Sequence, residues 1–439
     1  MPMRSSSRVA SSSGSSGWRR ARRGSSVLFA VAAVAITVAG CGSSKKEAET
    51  KSISASAKQT ISFAISGLGA EGEASQAEAK AFEKANPNIK VKVEVLSSNS
   101  TTYLQQLQTK FEGGSSTPDI FESDVTYPAK FAQAGWIKPL TSFKPETGKF
   151  FEGEMEAGEF EGSVYAIPWF ANPEGLFYRT DMVPKAPESP EELVEDAEKA
   201  MAEHPELKEG LAFEGHKYEG AITSFLTVAP AFGGKLTAEE IATKGNIEAL
   251  EWLHDALYKN KIAPTAVTGW EEGQVEEEFV AGHTPFAIDY PFVASVVEEE
   301  GGPAKGHFAY IPFPAGPNGE PGAALGGEML GINANSEHSA AAWKLIEYLT
   351  TPEVQIERAI ASGDPPSLPS AYTEALYKKA PVFKAVKTLN GYAQPRPVSP
   401  KYLEISEFLQ NAFSSVYANS ASPKSALEEA ASRVESLEG

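Results

Sequence analysis

The stretch TISFAISGLGAEGEASQAEAKAFEKANPNIKVKVEVL, residues 60–96, holds the pattern that decides the fold. Thr60 to Ser66 alternates and is rich in strand formers, so it predicts a strand. SQAEAKAFEKANP follows, with Ala77, Ala81, Phe82 and Ala85 on one expected helix face and Pro87 as its stop. Ile89 to Leu96 predicts a second strand. Next comes a helix carrying Tyr103, Leu104, Leu107 and Phe111, ended by Gly113-Gly114, and PDIFESD opens a third strand. Strand and helix alternate, which predicts an α/β fold with a parallel sheet. The same grammar recurs in helices expected at 246–260, 271–280 and 338–350, in the strand PFAID, and in two or three helices after residue 369. Proline clusters at 312–321 and 395–400 mark connections, and no solenoid-period repeat is present.

Gly67-Leu68-Gly69-Ala70-Glu71-Gly72 matches GxGxxG between a strand and a helix, with Glu94 about 20 residues on. Glu71 and Glu73 would then stand where a pyrophosphate must bind, and like charge is costly there. The reading preferred is a strand-to-helix turn whose amides and carboxylate face a polar ligand.

The chain has 439 residues, 41% hydrophobic and 22% charged, the composition of a globular protein. Its formal net charge of -19 argues against nucleic-acid binding, which needs a basic footprint. One cysteine allows no intramolecular disulfide, and the six histidines are scattered, so no metal site is predicted. There is no GxSxG, HExxH or P-loop, and no cofactor is implied. Carboxylates are plentiful, so counting alone leaves a glycosidase pair open. Runs such as Glu276-Glu277-Glu278 read as solvated helix faces, and His283 as a surface or packing residue.

Residues 1–40 read as an export address. Arg19, Arg20, Arg22 and Arg23 precede the apolar run VLFAVAAVAITVAG at Val27–Gly40, too short for an ordinary spanning helix. Val38-Ala39-Gly40-Cys41 resembles a bacterial lipobox, which implies an acylated Cys41 and a membrane anchor. Residues 41–58 then read as a polar tether. With Arg4 and Arg8, the export segment carries six arginines and no acid, so its removal takes the remainder to near -25.

Tyr127, Trp169, Phe170, Trp270, Tyr290 and Phe292 fall at expected strand ends or loops, where open α/β sheets form clefts. Aromatic faces beside Asp, Asn, Glu and Arg suit sugars, whose CH faces stack while hydroxyls take hydrogen bonds.

Four segments are similar to motifs of family 1 extracellular solute-binding proteins of ABC sugar importers, most of all the trehalose/maltose-binding branch. They are PDIFESDVTYPAKFAQAGWIKPL (118–140), GSVYAIPWFANPEGLFYRTDMV (162–183), FVAGHTPFAIDYPF (279–292) and ALGGEMLGIN (324–333). KYEGAITSF and AQPRPVSPKYLEIS add support, and the resemblance covers about Thr60 to Glu438. It implies a two-lobed periplasmic-binding-protein-like fold of type II, each lobe a mainly parallel sheet flanked by helices, joined by hinge strands. The N-lobe would take 58–172 with 304–334, and the C-lobe 175–303 with 335–439. A carbohydrate, such as trehalose, maltose or a related sugar or polyol, would bind between the lobes and reach an ABC permease at the extracellular face of the cell membrane. A monomer that does no chemistry is expected. The competing readings are an extracellular glycoside-acting enzyme and a ligand sensor.

Carried over by position, the resemblance implies these site residues. Glu71 or Glu73 stands near an acidic residue in the first turn, and Ser100 or Thr101 at the hydroxyl of the second. Asp124 matches a sugar-binding carboxylate, and Tyr127 replaces an aromatic that is usually Trp. Trp169 lies beside Phe170, which stands where Tyr is common, and Asn172 where Asp is common. Tyr290 and Phe292 replace the Trp and Tyr of a "WPY" motif. Gly327 keeps its match, Glu328 replaces a Trp, and Arg396 matches an Arg that reaches the cleft. Trp platforms are lost and one carboxylate is gained. That favours a more hydrogen-bonding ligand, smaller or amino-substituted, with Glu328 and Asp124 as acceptors.

Overall fold

The computed structural model describes residues 58–67, 70–397 and 399–438. The export segment, Cys41, nearly all of the tether, and Leu68-Gly69 of the glycine-rich turn lie outside the described residues.

In chain order the elements are β1 (Gln59–Ile65), α1 (Glu71–Ala85), β2 (Ile89–Val95), α2 (Ser100–Glu112), β3 (Ile120–Asp124), α3 (Pro128–Gln133), α4 (Glu152–Ala157), β4 (Glu159–Phe160), β5 (Ser163–Val164), β6 (Ala166–Ala171) and β7 (Gly175–Arg179). There follow α5 (Pro190–Glu203), β8 (Leu211–Ala212), α6 (Gly220–Val228), α7 (Lys244–Tyr258), α8 (Glu272–Val280), β9 (Phe286–Asp289), α9 (Phe292–Glu300) and β10 (Phe308–Ile311). The last are β11 (Ala323–Ala324), β12 (Gly327–Ile332), α10 (Ser339–Leu349), α11 (Pro352–Ser362), α12 (Glu374–Lys379), α13 (Val382–Leu389), β13 (Ala393–Gln394), α14 (Tyr402–Tyr417) and α15 (Pro423–Glu438).

Two sheets organise the chain, one ordered β2-β1-β3-β12-β6 and the other β10-β7-β9-β8. In the first, β1 pairs parallel with β2 and with β3, which requires the crossover helices α1 and α2. Polar side chains start several helices: Asn99 accepts from the Thr102 amide and Thr243 from the Asn246 amide.

The expectation of mainly parallel sheets holds for strand direction, with one reversed strand in each lobe. β12 runs antiparallel to both β3 and β6, and β7 antiparallel to both β10 and β9. The reason is the route of the chain. The other strands of each sheet end at the edge facing the opposite sheet. β7 starts four residues after β6 ends, and β12 starts at the same edge, so each arrives from the other lobe and must run back.

The expected boundaries are also corrected. β10 pairs with β7, so 304–334 divides between the sheets. One core draws on 61–170 and on 330–371, so α10 and α11 pack with the first sheet, not with the second as expected for 335–439. The other main core draws on 176–324 and on α14 and α15.

A further correction concerns α1. Its buried residues are Glu71, Ala74, Ser75, Glu78, Ala79 and Phe82, while Ala77, Ala81 and Ala85 are exposed. The cause is Arg358 on α11, which is fully enclosed. Its guanidinium lies 3.9 Å from the Trp169 ring and reaches Ser75 and Glu78 at 3.1 Å and Asp364 at 2.9 Å. A buried cation needs partners, so the helix turns its polar residues inward. No helix among the described residues is long and apolar enough to cross a membrane.

Candidate functional site

The strand ends that face the opposite sheet converge on a cavity of about 70 Å³. Ser66 follows β1, Asp124 ends β3, Asn172 follows β6, Tyr290 follows β9, and Gly327 and Glu328 open β12. In the ladder Glu328 lies opposite Asp124 on one side and Phe170 on the other, with a bulge after it. Gly327 sits at φ +138 with the Phe170 carbonyl where a Cβ would be, which admits only glycine.

The first lobe supplies an acidic floor. The Ser66 hydroxyl donates to Glu71, the first residue of α1, and the Ser66 amide donates to Glu122 Oε2 at 2.8 Å. The Tyr103 hydroxyl donates to the Glu122 carbonyl at 2.8 Å. Burial, then the neighbouring Glu122, pushes the Glu71 carboxyl well above its usual range, and burial raises Glu122 to about 7. Burial, then Glu122, Asp124 and Glu71, raises Glu328 likewise.

One guanidinium joins the two lobes. Arg396 Nη2 donates to both carboxylate oxygens of Asp124 and Nη1 to Glu219 Oε1 at 3.0 Å. Glu219 precedes α6 and also accepts from the hydroxyls of Tyr402 and Ser406 on α14. Burial works against the Arg396 charge, but Asp124, Tyr402 and Glu219 outweigh it and hold the guanidinium protonated. Asp124 Oδ1 further accepts from the amide and hydroxyl of Thr126. Tyr127, Phe170 and Tyr290 add ring faces, and Glu272 of α8 closes the second lobe's side, raised to about 7 by burial and by Glu271.

Of the residues expected from sequence, Glu71, Ser100, Asp124, Tyr127, Phe170, Asn172, Tyr290, Gly327, Glu328 and Arg396 line this cavity. Four do not. Trp169 is fully buried in the first core, stacked under Arg358, because successive strand residues face opposite ways and Phe170 takes the cavity side. Phe292 is the first residue of α9 and packs into the second lobe's core. Glu73 is exposed on the outer face of α1, and Thr101 stands one residue past the lining Ser100 at the start of α2. Trp270, also expected at the cleft, packs against the second lobe's core.

Ser66, Ser98, Tyr103, Glu122, Glu219, Gly220, Thr223, Glu272 and Gly326 line the cavity without being singled out by the sequence. Glu122 had a signal, being an acid two residues before Asp124 and so on the same face of β3. Glu219 and Gly220 lie inside KYEGAITSF. Glu272 had none, since it sits beside other glutamates on a helix start. No histidine among the described residues lines the cavity. The arrangement is a set of carboxylate and hydroxyl acceptors from both lobes around four rings, Tyr103, Tyr127, Phe170 and Tyr290. It can surround a polyhydroxylated molecule whose hydroxyls donate.

Over residues 66–356 the chain matches the sequence pattern of the bacterial extracellular solute-binding proteins. It is 29% identical over 349 residues to a Deinococcus radiodurans protein named "Probable ABC transporter-binding protein", covering 74% of this chain and 80% of that one. It is 27% identical over 297 residues to the maltotriose-binding protein of Pyrococcus abyssi, covering 65% of this chain and 62% of that one. Among solved structures, maltose-bound T. maritima MalE3 superposes with a TM-score of 0.82 at 30% identity, covering 86% of this chain and 100% of that one. This chain therefore belongs to the bacterial extracellular solute-binding protein family.

Proposed function

We propose that this protein captures a carbohydrate between its two lobes and delivers it to the transmembrane subunits of an ABC permease, doing no chemistry on it. The observation that carries the reading is the convergence on one cavity of Asp124, Glu328 and Phe170 from one lobe and Glu219, Glu272 and Tyr290 from the other. Ligand hydroxyls that engage both sets gain only when the lobes are together, so binding drives closure. The cavity of about 70 Å³ holds only a few water-sized groups, so a sugar ring enters an opened form. The maltose-bound relative and the maltotriose-binding relative support the ligand class.

The site residues proposed to touch ligand are those lining the cavity. The lobes are proposed as 58–172 with 327–371, and 175–311 with 372–438. Acylation at Cys41, anchoring at the outer face of the membrane and a monomeric state complete the reading.

The test is thermal unfolding against mono- and disaccharides, polyols and amino sugars, with a chromogenic glycoside alongside. At about 100 times its Kd a ligand adds roughly 2.7 kcal/mol, which raises the midpoint by several degrees. One clear hit with no product supports the receptor. Turnover of the glycoside would establish the enzyme instead, and a blank across the panel would sink the carbohydrate.

A further inference from the structure

Beside the start of β12, and sharing Arg396 with the cleft lining, the described residues form a second cavity of about 300 Å³. It lies between α4 and the segment from Asn390 to Pro397. Phe151, Val125, Ala129, Leu325 and Pro395 give it mostly apolar walls. Glu154 of α4 opens onto it. This residue is 1% exposed, and neither of its carboxylate oxygens has a hydrogen-bond partner. Its Oε2 lies where a Cβ on Gly327 would approach to 3.0 Å, so the side chain is held against the β12 backbone.

A buried acceptor left without a donor costs on the order of 1–3 kcal/mol, and more if charged. Such a group in a folded protein needs a reason. The cleft does not supply one, because Glu154 does not line it. Packing does not supply one either, because an apolar residue would fill the same walls. Among the described residues lining the second cavity the cation is Arg396, whose η nitrogens are committed to Asp124 and Glu219. Glu156 adds a second acid. Burial, then Asp124, pushes the Glu154 carboxyl well above its usual range, so a positive partner there would be repaid by ionisation.

We propose that this cavity is a second ligand site, adjoining the cleft at Arg396, that takes a small organic cation: a primary ammonium on the Glu154 carboxylate with a short aliphatic body against Phe151, Val125 and Leu325. Apolar walls with one precisely placed polar group are what such a ligand needs. A neutral polyol would leave most of its hydroxyls facing those walls.

The test is calorimetric titration of the purified protein with n-butylammonium chloride at neutral pH, beside its neutral counterpart n-butanol. Saturable one-site binding of the ammonium is expected, with n-butanol at least about tenfold weaker, as loss of a charged hydrogen bond requires. Glu154→Gln should weaken ammonium binding by the same factor. Ala157→Leu, which fills the cavity while keeping the carboxylate, should abolish it and covers the case in which the first variant fails to fold. The proposal is overturned by no saturable binding (a water-filled cavity), by equal binding of n-butanol, or by binding unchanged in both variants. It stands or falls independently of whether any sugar binds the cleft.

Discussion

Arg396 and Asp124 are joined through a single guanidinium nitrogen, Nη2, which donates to Oδ1 at 2.8 Å and to Oδ2 at 2.7 Å across 272 positions of sequence. The other η nitrogen of Arg396 reaches Glu219. One cation thus balances a carboxylate from each lobe. Removing it leaves two enclosed acids uncompensated, so Arg396→Ala should lower stability by about 3–5 kcal/mol. It should also weaken any cleft ligand, since the lobes would meet acid against acid. Arg396→Lys should recover only part, because an ammonium cannot reach both partners in the same fork geometry. Denaturant unfolding and sugar titration check this, and a parent-like midpoint for the alanine variant would refute it.

Trp169 and Tyr290 look alike in the sequence, as aromatics at strand ends, and the structure separates them. Trp169→Phe removes packing beneath Arg358 and should cost about 1–3 kcal/mol of stability while leaving ligand affinity unchanged. Tyr290→Ala removes a cavity wall and should weaken affinity about tenfold or more. Parallel melts and titrations distinguish them; the reverse pattern would mean the two residues have exchanged roles on ligand binding.

Acidity should stabilise this protein. Burial raises Glu78, Glu122 and Glu272 to about 7 and Glu174 to about 8, from 4.5. Between about pH 4.5 and these values the folded chain holds protons that the unfolded chain has released. Stability therefore falls as pH rises through that window, and each tenfold gain in a carboxyl's proton affinity on folding is worth about 1.4 kcal/mol. Exposed pairs such as Glu83–Lys90 act the other way but only at lower pH, where the lowered Glu83 titrates. Melting temperatures taken from pH 5 to pH 8 without ligand should decline, and a steady rise would contradict the buried carboxyls.

Gly327, at the junction of the lobes, is constrained both by its backbone angle and by a close approach. At φ +138, a Cβ would stand 2.5 Å from the Phe170 carbonyl oxygen, so Gly327→Ala should destabilise by about 1–3 kcal/mol and displace Glu328. Gly148→Ala, with nothing within 4 Å, should be close to neutral. Equal effects from the two substitutions, measured by urea unfolding, would show that the β12 turn is not constrained.

The succession of strands and helices up to β3 was legible because alternation, helix spacing and glycine stops are relations between near neighbours. The reversal of β7 and β12 was not, since direction follows from where a strand enters its sheet. The motif-bearing segments placed Asp124, Tyr290, Gly327, Glu328 and Arg396 at the cavity, because a segment's strand end and its cleft edge are one local feature. Phe292 failed because one residue past Tyr290-Pro291 the chain has already turned into α9.

By itself, the sequence determined the α/β alternation, the family and the strand ends that meet at a cleft. Each rests on residues a few positions apart, whose geometry the backbone sets. Only the tertiary structure decided that Arg358 draws Glu78 and Ser75 inward on α1, that Trp169 faces the core, that Arg396 holds Asp124 and Glu219 together, and that Glu154 stands without a partner. A buried charge takes its orientation from whichever distant group can neutralise it, and that group is fixed by packing, not by spacing along the chain.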